Sequence, residues 1–108
     1  MIYSLRITSA ALWDLVEIHD WIAENDSMEN ADHVLDRLSE TAESIAAMPH
    51  RGSRPSELPH NMEGEFRQVF FKPYRVIYEV IKNEVVIHLV ADGRLNLQTL
   101  LLRRLSGG

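Results

Sequence analysis

The 108-residue chain contains no cysteine, which removes disulfide frameworks, thiolate metal sites and cysteine nucleophiles together and suits a reducing compartment. Its five histidines, at 19, 33, 50, 60 and 88, show none of the close spacings a zinc or facial-triad site needs, so no metal and no cofactor is expected. Neither phosphate-binding glycine pattern, G-x-x-x-x-G-K-[ST] or G-x-G-x-x-G, is present, and G-x-S-x-G is missing too. Nucleotide-dependent and serine-hydrolase chemistry therefore have no sequence support. No apolar run approaches the roughly 20 residues that span a bilayer, and MIYSLRITSAALWDL lacks a basic segment followed by an apolar core. The expectation is a cytoplasmic protein with no membrane partner.

Positive charge is also scarce in one half. Residues 1–50 hold ten acids against Arg6 and Arg37, a balance of −8, whereas residues 51–108 hold nine basic groups against six acids, +3, giving the total of −5. An acidic whole argues against a surface that grips nucleic acid, since such affinity rests on neutralising phosphates. A local basic face on the C-terminal half remains open.

At 108 residues and 45% hydrophobic content the chain suffices for a single domain, 1–108. Its β potential concentrates in Glu65 to Arg94, EFRQVFFKPYRVIYEVIKNEVVIHLVADGR, where Val, Ile, Phe and Tyr dominate and breaks fall at Lys72-Pro73 and Lys82-Asn83-Glu84. This predicts a three-stranded antiparallel meander, interrupted by Arg67, Arg75 and His88. Alternation over Ile2 to Ile7 adds a short strand to the same sheet. From Ser9 the period becomes helical, with Ala11, Leu15, Ile18 and Ile22 inward, Leu12, Val16 and Ala23 beside them, and Asp14, Glu17, Asp20 and Glu24 opposite.

Trp13 and Trp21 fall on that acidic face. Either the second helix or a loop covers them at the flank of the core, or they belong to a protein interface. Asn25-Asp26-Ser27 opens the second helix, in which Ala31, Val34, Leu35, Leu38, Ala42, Ile45 and Ala46 keep the apolar period until Pro49. His50 to Gly64 is a crossing loop, and its Arg51-Gly52-Ser53-Arg54 reads as turn chemistry or an anion site. Asn96 to Leu105 predicts a short final helix capped by Asn96, with Leu97, Leu101 and Leu105 inward and Arg103 and Arg104 in its last turn, where cations complement the helix dipole. The predicted class is α+β, in the order β-α-α-β-β-β, with an antiparallel sheet on a helical hairpin and a short C-terminal helix.

In that order, Ala11-x-x-Asp14-Leu15-x-x-Ile18-x-x-Trp21-Ile22, Met48-Pro49-x-x-Gly52, Tyr74-Arg75-Val76-Ile77-Tyr78 and Val90-Ala91-Asp92-Gly93-Arg94 resemble the ParE/RelE superfamily of bacterial toxins over nearly the whole chain. The resemblance implies a type II toxin neutralised by a cognate antitoxin and acting in one of two ways: cleaving mRNA on the ribosome, or poisoning DNA gyrase without cutting RNA. RNA cleavage needs groups that move a proton and stabilise the charge on the phosphorane. Arg75 matches the arginine of the cleaving branch's Tyr-Arg-x-x-Tyr strand, and Arg67 stands for a basic residue on the strand before it.

Past its Gly-basic pair, however, the cleaving branch continues with a second arginine and, six residues later, a tyrosine, where this chain has Leu95 and Leu101. Leucine neither transfers a proton nor holds a phosphate. Tyr78 or His88 would have to substitute. The preferred reading is therefore a non-enzymatic gyrase inhibitor held silent by a ParD-like antitoxin, touching DNA only indirectly through that antitoxin. The chain also departs from that branch's ending of Gly-Arg, a basic residue and Asp, since Leu95 and Asn96 follow Arg94. Arg67, Arg75 and Arg94 are the expected target-binding residues, and Trp13, Trp21, Arg103 and Arg104 the antitoxin-binding ones. Arg75 and Arg94 have a structural alternative, pairing with Glu79 or Asp92. The competing reading is a ribosome-dependent endoribonuclease using Arg67, Arg75, His88 and Arg94.

Overall fold

The computed structural model describes residues 2–106. Its elements are β1 (Ser4–Ile7), α1 (Ser9–Asn25), α2 (Met28–Ala47), β2 (Glu65–Phe71), β3 (Tyr74–Ile81), β4 (Glu84–Asp92) and α3 (Gln98–Leu105). Each hairpin helix starts where a hydroxyl can cap it. Thr8 Oγ1 accepts from the Ala11 N–H at 3.1 Å and Ser27 Oγ from the Asn30 N–H at 3.0 Å. The Asn96 carboxamide accepts from the Gln98 N–H at 3.2 Å, but the N-cap position of α3 is Leu97 and carries no side-chain cap, so Asn96 lies one residue ahead of the capping position expected for it.

The strands lie in the order β1-β4-β3-β2. β2, β3 and β4 form the antiparallel meander, but β1 runs parallel to β4, with Ser4 opposite Glu84 and Ile7 opposite Ile87. The sheet is thus mixed rather than wholly antiparallel. Alternation in a sequence fixes which face a side chain takes, not the direction of the strand. The helical hairpin between β1 and the meander supplies the long connection that a parallel pair requires.

Both faces of the sheet are covered. Against α1 and α2 pack Val69, Val76, Tyr78, Val80, Val85, Ile87 and Val90, with Ala11, Leu38, Ala42 and Ile45 from the helices. On the opposite face Phe66, Ile77 and Leu89 meet Leu58 of the crossing loop and Leu97 and Leu101 of the C-terminal segment. Two-sided burial explains why β3 and β4 read as near-continuous apolar runs instead of alternating. His88 is the extra residue of a bulge: Ile77 pairs with Leu89 and Tyr78 with Ile87, so β4 skips a partner between them.

Buried polar groups of the crossing loop close on β3. The Tyr78 hydroxyl donates to the Pro49 carbonyl at 2.8 Å and accepts from the Gly52 N–H at 3.3 Å. Ser53 then pairs through backbone bonds with Gln68, at 3.2 and 2.8 Å, covering the outer edge of β2. A Cβ at Gly52 would sit 2.5 Å from the Gln68 carbonyl and 2.8 Å from the Tyr78 hydroxyl, so the loop approaches the sheet this closely only with glycine there.

Candidate functional site

Where β1 ends, the far half of β4 has no neighbouring strand on its β1 side. Asp14 on α1 and Arg104 on α3 take its place. Asp14 Oδ2 accepts from the Val90 N–H at 3.0 Å, and Arg104 Nη1 donates to the His88 carbonyl at 2.9 Å. The two side chains also bind each other in a fork, at 2.6 and 2.9 Å. The clasp joins the layers on both faces of the sheet and satisfies the open edge of β4. It corrects one expectation, since Asp14 does not lie on the solvated acidic face of α1, and it places Arg104, an expected antitoxin-binding residue, in a pair within the chain. Asp14 keeps the Arg104 guanidinium charged to still higher pH than usual by accepting its hydrogen bonds.

Beside this clasp opens a groove of about 440 Å³ between α1, the ends of β3 and β4, and the segment leading into α3. Ile18 and Trp21 form one wall, Tyr74, Val90 and Ala91 the floor, and Leu95 and Leu100 the opposite wall. Asp14, Glu17, Asp92 and Arg94 make its rim. Trp21 is 64% exposed although large and apolar, so its ring stands open along this groove instead of being covered by α2. Asp92 accepts from Arg94 through its side chain, at 2.6 and 3.0 Å, and from the Arg94 N–H at 2.9 Å, and these bonds lower its pKa to about 2. Burial raises the Tyr74 phenol above its usual value.

The residues lining the groove include no thiol, aliphatic hydroxyl or imidazole, its one phenol is Tyr74, and two of its carboxylates are held by arginines. Its chemistry is that of a binding cleft for apolar side chains, with a charged rim. The sequence pointed to Trp21 and Arg94 for two different roles, and the fold brings them to one groove. In the sequence Tyr74 figures only in the Tyr-Arg-x-x-Tyr strand and Leu95 only as the residue that follows Arg94, and Leu100 carries no signal for a groove. Trp13, 65% exposed, lines a different depression, with Ser9, Leu12 and Val16 on α1.

The other arginines singled out do not converge. Arg67 lies on the same face of β2 as Val69 and Phe71, which pack toward the helical hairpin, whereas Arg75 projects from the opposite face with Ile77. Arg67 donates to Glu65 at 2.8 Å and to the His50 carbonyl at 2.8 Å, stapling the crossing loop. Arg75 is only 7% exposed and is bound by both oxygens of Glu57, with Gln68 accepting from Nε at 3.0 Å. Its carboxylate is therefore Glu57, not Glu79, which His88 occupies at 3.0 Å. Glu57 escaped notice because it lies in a loop with no periodicity. Its carboxyl is held below the usual range, chiefly by the hydrogen bond from Arg75.

In the crossing loop Arg51 donates to Ser44 Oγ at 2.8 Å, and Arg54 to the Pro59 and Met62 carbonyls at 2.9 and 3.2 Å. The loop cations are thus engaged in turn chemistry. Arg103 is exposed on α3. Among the described residues no cluster of three candidate metal ligands occurs, and no helix is long and apolar enough to cross a membrane.

The family model described as ParE toxin of type II toxin-antitoxin system, parDE, matches residues 5–94. Toxin ParE3 of Caulobacter vibrioides is 30% identical to this chain over 84 residues, which span 78% of this chain and 80% of the relative. In fold the chain is similar to the chromosomal ParDE toxin–antitoxin system from P. aeruginosa, with a TM-score of 0.71, 23% identity and coverage of 84% of this chain and 96% of that one. It is also similar to the toxin–antitoxin complex RelBE2 from Mycobacterium tuberculosis, with a TM-score of 0.63, 22% identity and coverage of 85% and 92%. The matched span runs from β1 through the helical hairpin and the meander to Arg94 on the rim of the groove, and the chain belongs to the ParE toxin family of type II toxin–antitoxin systems.

Proposed function

We propose that this toxin works by binding and inhibiting DNA gyrase without cutting RNA, and that a ParD-type antitoxin neutralises it. The observation that carries this reading is the fate of the basic groups. Cleavage at a 2′-hydroxyl needs cations and a proton-transfer group converging on one phosphate. Here Arg67 and Arg75 leave the sheet on opposite faces and each is held by a carboxylate. Leu101, at the position where the cleaving branch has tyrosine, is 0% exposed in the core beneath α3. His88 is tied to Glu79.

The groove supports the partner side of the proposal. An antitoxin segment that is disordered alone orders on binding by burying apolar side chains, and the cleft between Trp21 and Leu95 offers that burial beside a charged rim. Arg94, with its side chain 78% exposed and paired with Asp92, stands at the same mouth and is the most exposed of the three arginines expected to meet a target. Antitoxin and target would then compete for one end of the molecule, which gives neutralisation a steric basis. Any approach to DNA runs through the antitoxin, because a chain of net charge −5 has little to offer phosphates.

Primer extension on cellular mRNA after induction of the toxin alone separates the two branches. Intact transcripts together with induction of the DNA-damage response support gyrase inhibition. Cuts aligned with codons would instead establish the ribosome-dependent nuclease.

A further inference from the structure

The part of α1 that faces away from the groove carries a second apolar patch, which includes Trp13, one of the expected antitoxin-binding residues, and which the proposed function leaves unassigned. Leu12, Trp13 and Val16 are exposed and, with Ser9, line a shallow depression of about 300 Å³. At about 100° per residue, Leu12 and Val16 stand some 40° apart and Trp13 some 60° beyond, so they form one stripe on the helix. Sequence periodicity placed Leu12 and Val16 beside the core, but α2 packs on the Leu15 and Ile22 side and leaves them in solvent.

What surrounds the stripe decides what fits it. Exposed Glu17, Asp20 and Glu24 continue along the same arc of α1. From Ser9 to Ala47 the hairpin holds ten carboxylates (Asp14, Glu17, Asp20, Glu24, Asp26, Glu29, Asp32, Asp36, Glu40 and Glu43) against Arg37, a balance of −9. Among the described residues Glu17 and Glu24 have no ion-pair partner. A second copy docked face to face would set these acids against their own images. Nucleic acid and an anionic lipid surface are repelled by the same field. The complementary surface has an aliphatic stripe flanked by Lys or Arg.

We propose that the Leu12–Trp13–Val16 face of α1 docks a basic amphipathic helix of a protein partner. Such a helix lays its apolar side chains over the stripe while its cations meet Glu17, Asp20 and Glu24, in the helix-on-groove mode of recognition. The proposal is independent of which enzyme the toxin inhibits.

Two 18-residue helical peptides test it, one with leucines at i, i+3, i+4 and i+7 and lysines elsewhere, the other with every lysine replaced by glutamate. In the Trp21→Phe protein Trp13 is the sole tryptophan, and its fluorescence reports burial of the stripe. Saturable blue-shifted emission with the lysine peptide, weakening about tenfold from low to physiological salt, is expected, with no response to the glutamate peptide. Leu12→Ser with Val16→Ser weakens binding about tenfold or more, whereas Phe70→Ser, which alters an exposed apolar residue on β2, leaves it unchanged. Equal binding of both peptides, or equal loss from Phe70→Ser, overturns the proposal. So does sedimentation showing a dimer that the Leu12 and Val16 changes dissociate, since the occupant is then a second copy.

Discussion

The clasp between Asp14 and Arg104 makes a quantitative demand on stability. Asp14→Ala leaves Arg104 without its carboxylate and the Val90 N–H without its acceptor at the open edge of β4. The side chains are 12% and 17% exposed, so both charges are largely withdrawn from water. Breaking a buried ion pair by removing one partner costs about 3–5 kcal/mol. Because some solvent access remains, a cost near the lower end, about 3 kcal/mol, is expected for Asp14→Ala, and a similar one for Arg104→Ala. That is a large share of the roughly 5–15 kcal/mol that holds a domain of this size. Urea unfolding of the two single variants and the double variant gives the coupling energy, expected at about 2 kcal/mol. Hydrogen exchange at the Val90 amide should speed up in the Asp14 variant. A coupling energy below about 0.5 kcal/mol, as for an exposed pair, with unchanged exchange at Val90, would refute the assignment of the clasp as the closure of the β4 edge.

Three further changes probe the crossing loop and its anchors. Tyr78→Phe removes the donor to the buried Pro49 carbonyl and should cost about 1–3 kcal/mol by denaturant titration, with the fold kept. Gly52→Ala forces a methyl to 2.5 Å from the Gln68 carbonyl, so the Ser53–Gln68 pairing should be lost along with protection of the Gln68 amide from exchange. Glu57 has a lowered folded-state pKa, so its contribution is complete above its unfolded value of about 4.3 and is lost as pH falls through the lower folded value. Glu57→Gln should therefore be less stable than the parent at neutral pH, with the difference shrinking toward pH 3 in acid-unfolding curves.

Periodicity and turn chemistry made the element order legible: the change of period at Ser9 and the cap types ending at Ser27 open the helices, Lys72-Pro73 and Lys82-Asn83 turn the meander, and Leu97 and Leu101 reach a core. The direction of β1 was not legible, because alternation is the same whichever way a strand runs. Partners of the charged groups were hidden for a related reason. Asp14 shares a helical arc with solvated acids, and only the fold shows that the arc borders an unpaired strand edge. Arg75 looked like a cation on an accessible sheet face, yet Glu57, separated from it by a loop and a strand, neutralises it under the crossing loop. Trp21 was legible as an anomaly on its helix, and the groove it lines supplied the meaning. The motif Met48-Pro49-x-x-Gly52 and the second tyrosine of Tyr74-Arg75-Val76-Ile77-Tyr78 turn out to be two halves of one buried hydrogen-bonded joint.

The proposal that this ParE-family chain is a gyrase inhibitor is tested most directly by adding the purified toxin to DNA gyrase and relaxed plasmid with ATP and following supercoiling. Loss of supercoiling at toxin concentrations comparable to the enzyme, reversed by the cognate antitoxin, is the predicted result. Supercoiling that proceeds unchanged at a large excess of folded toxin would contradict it.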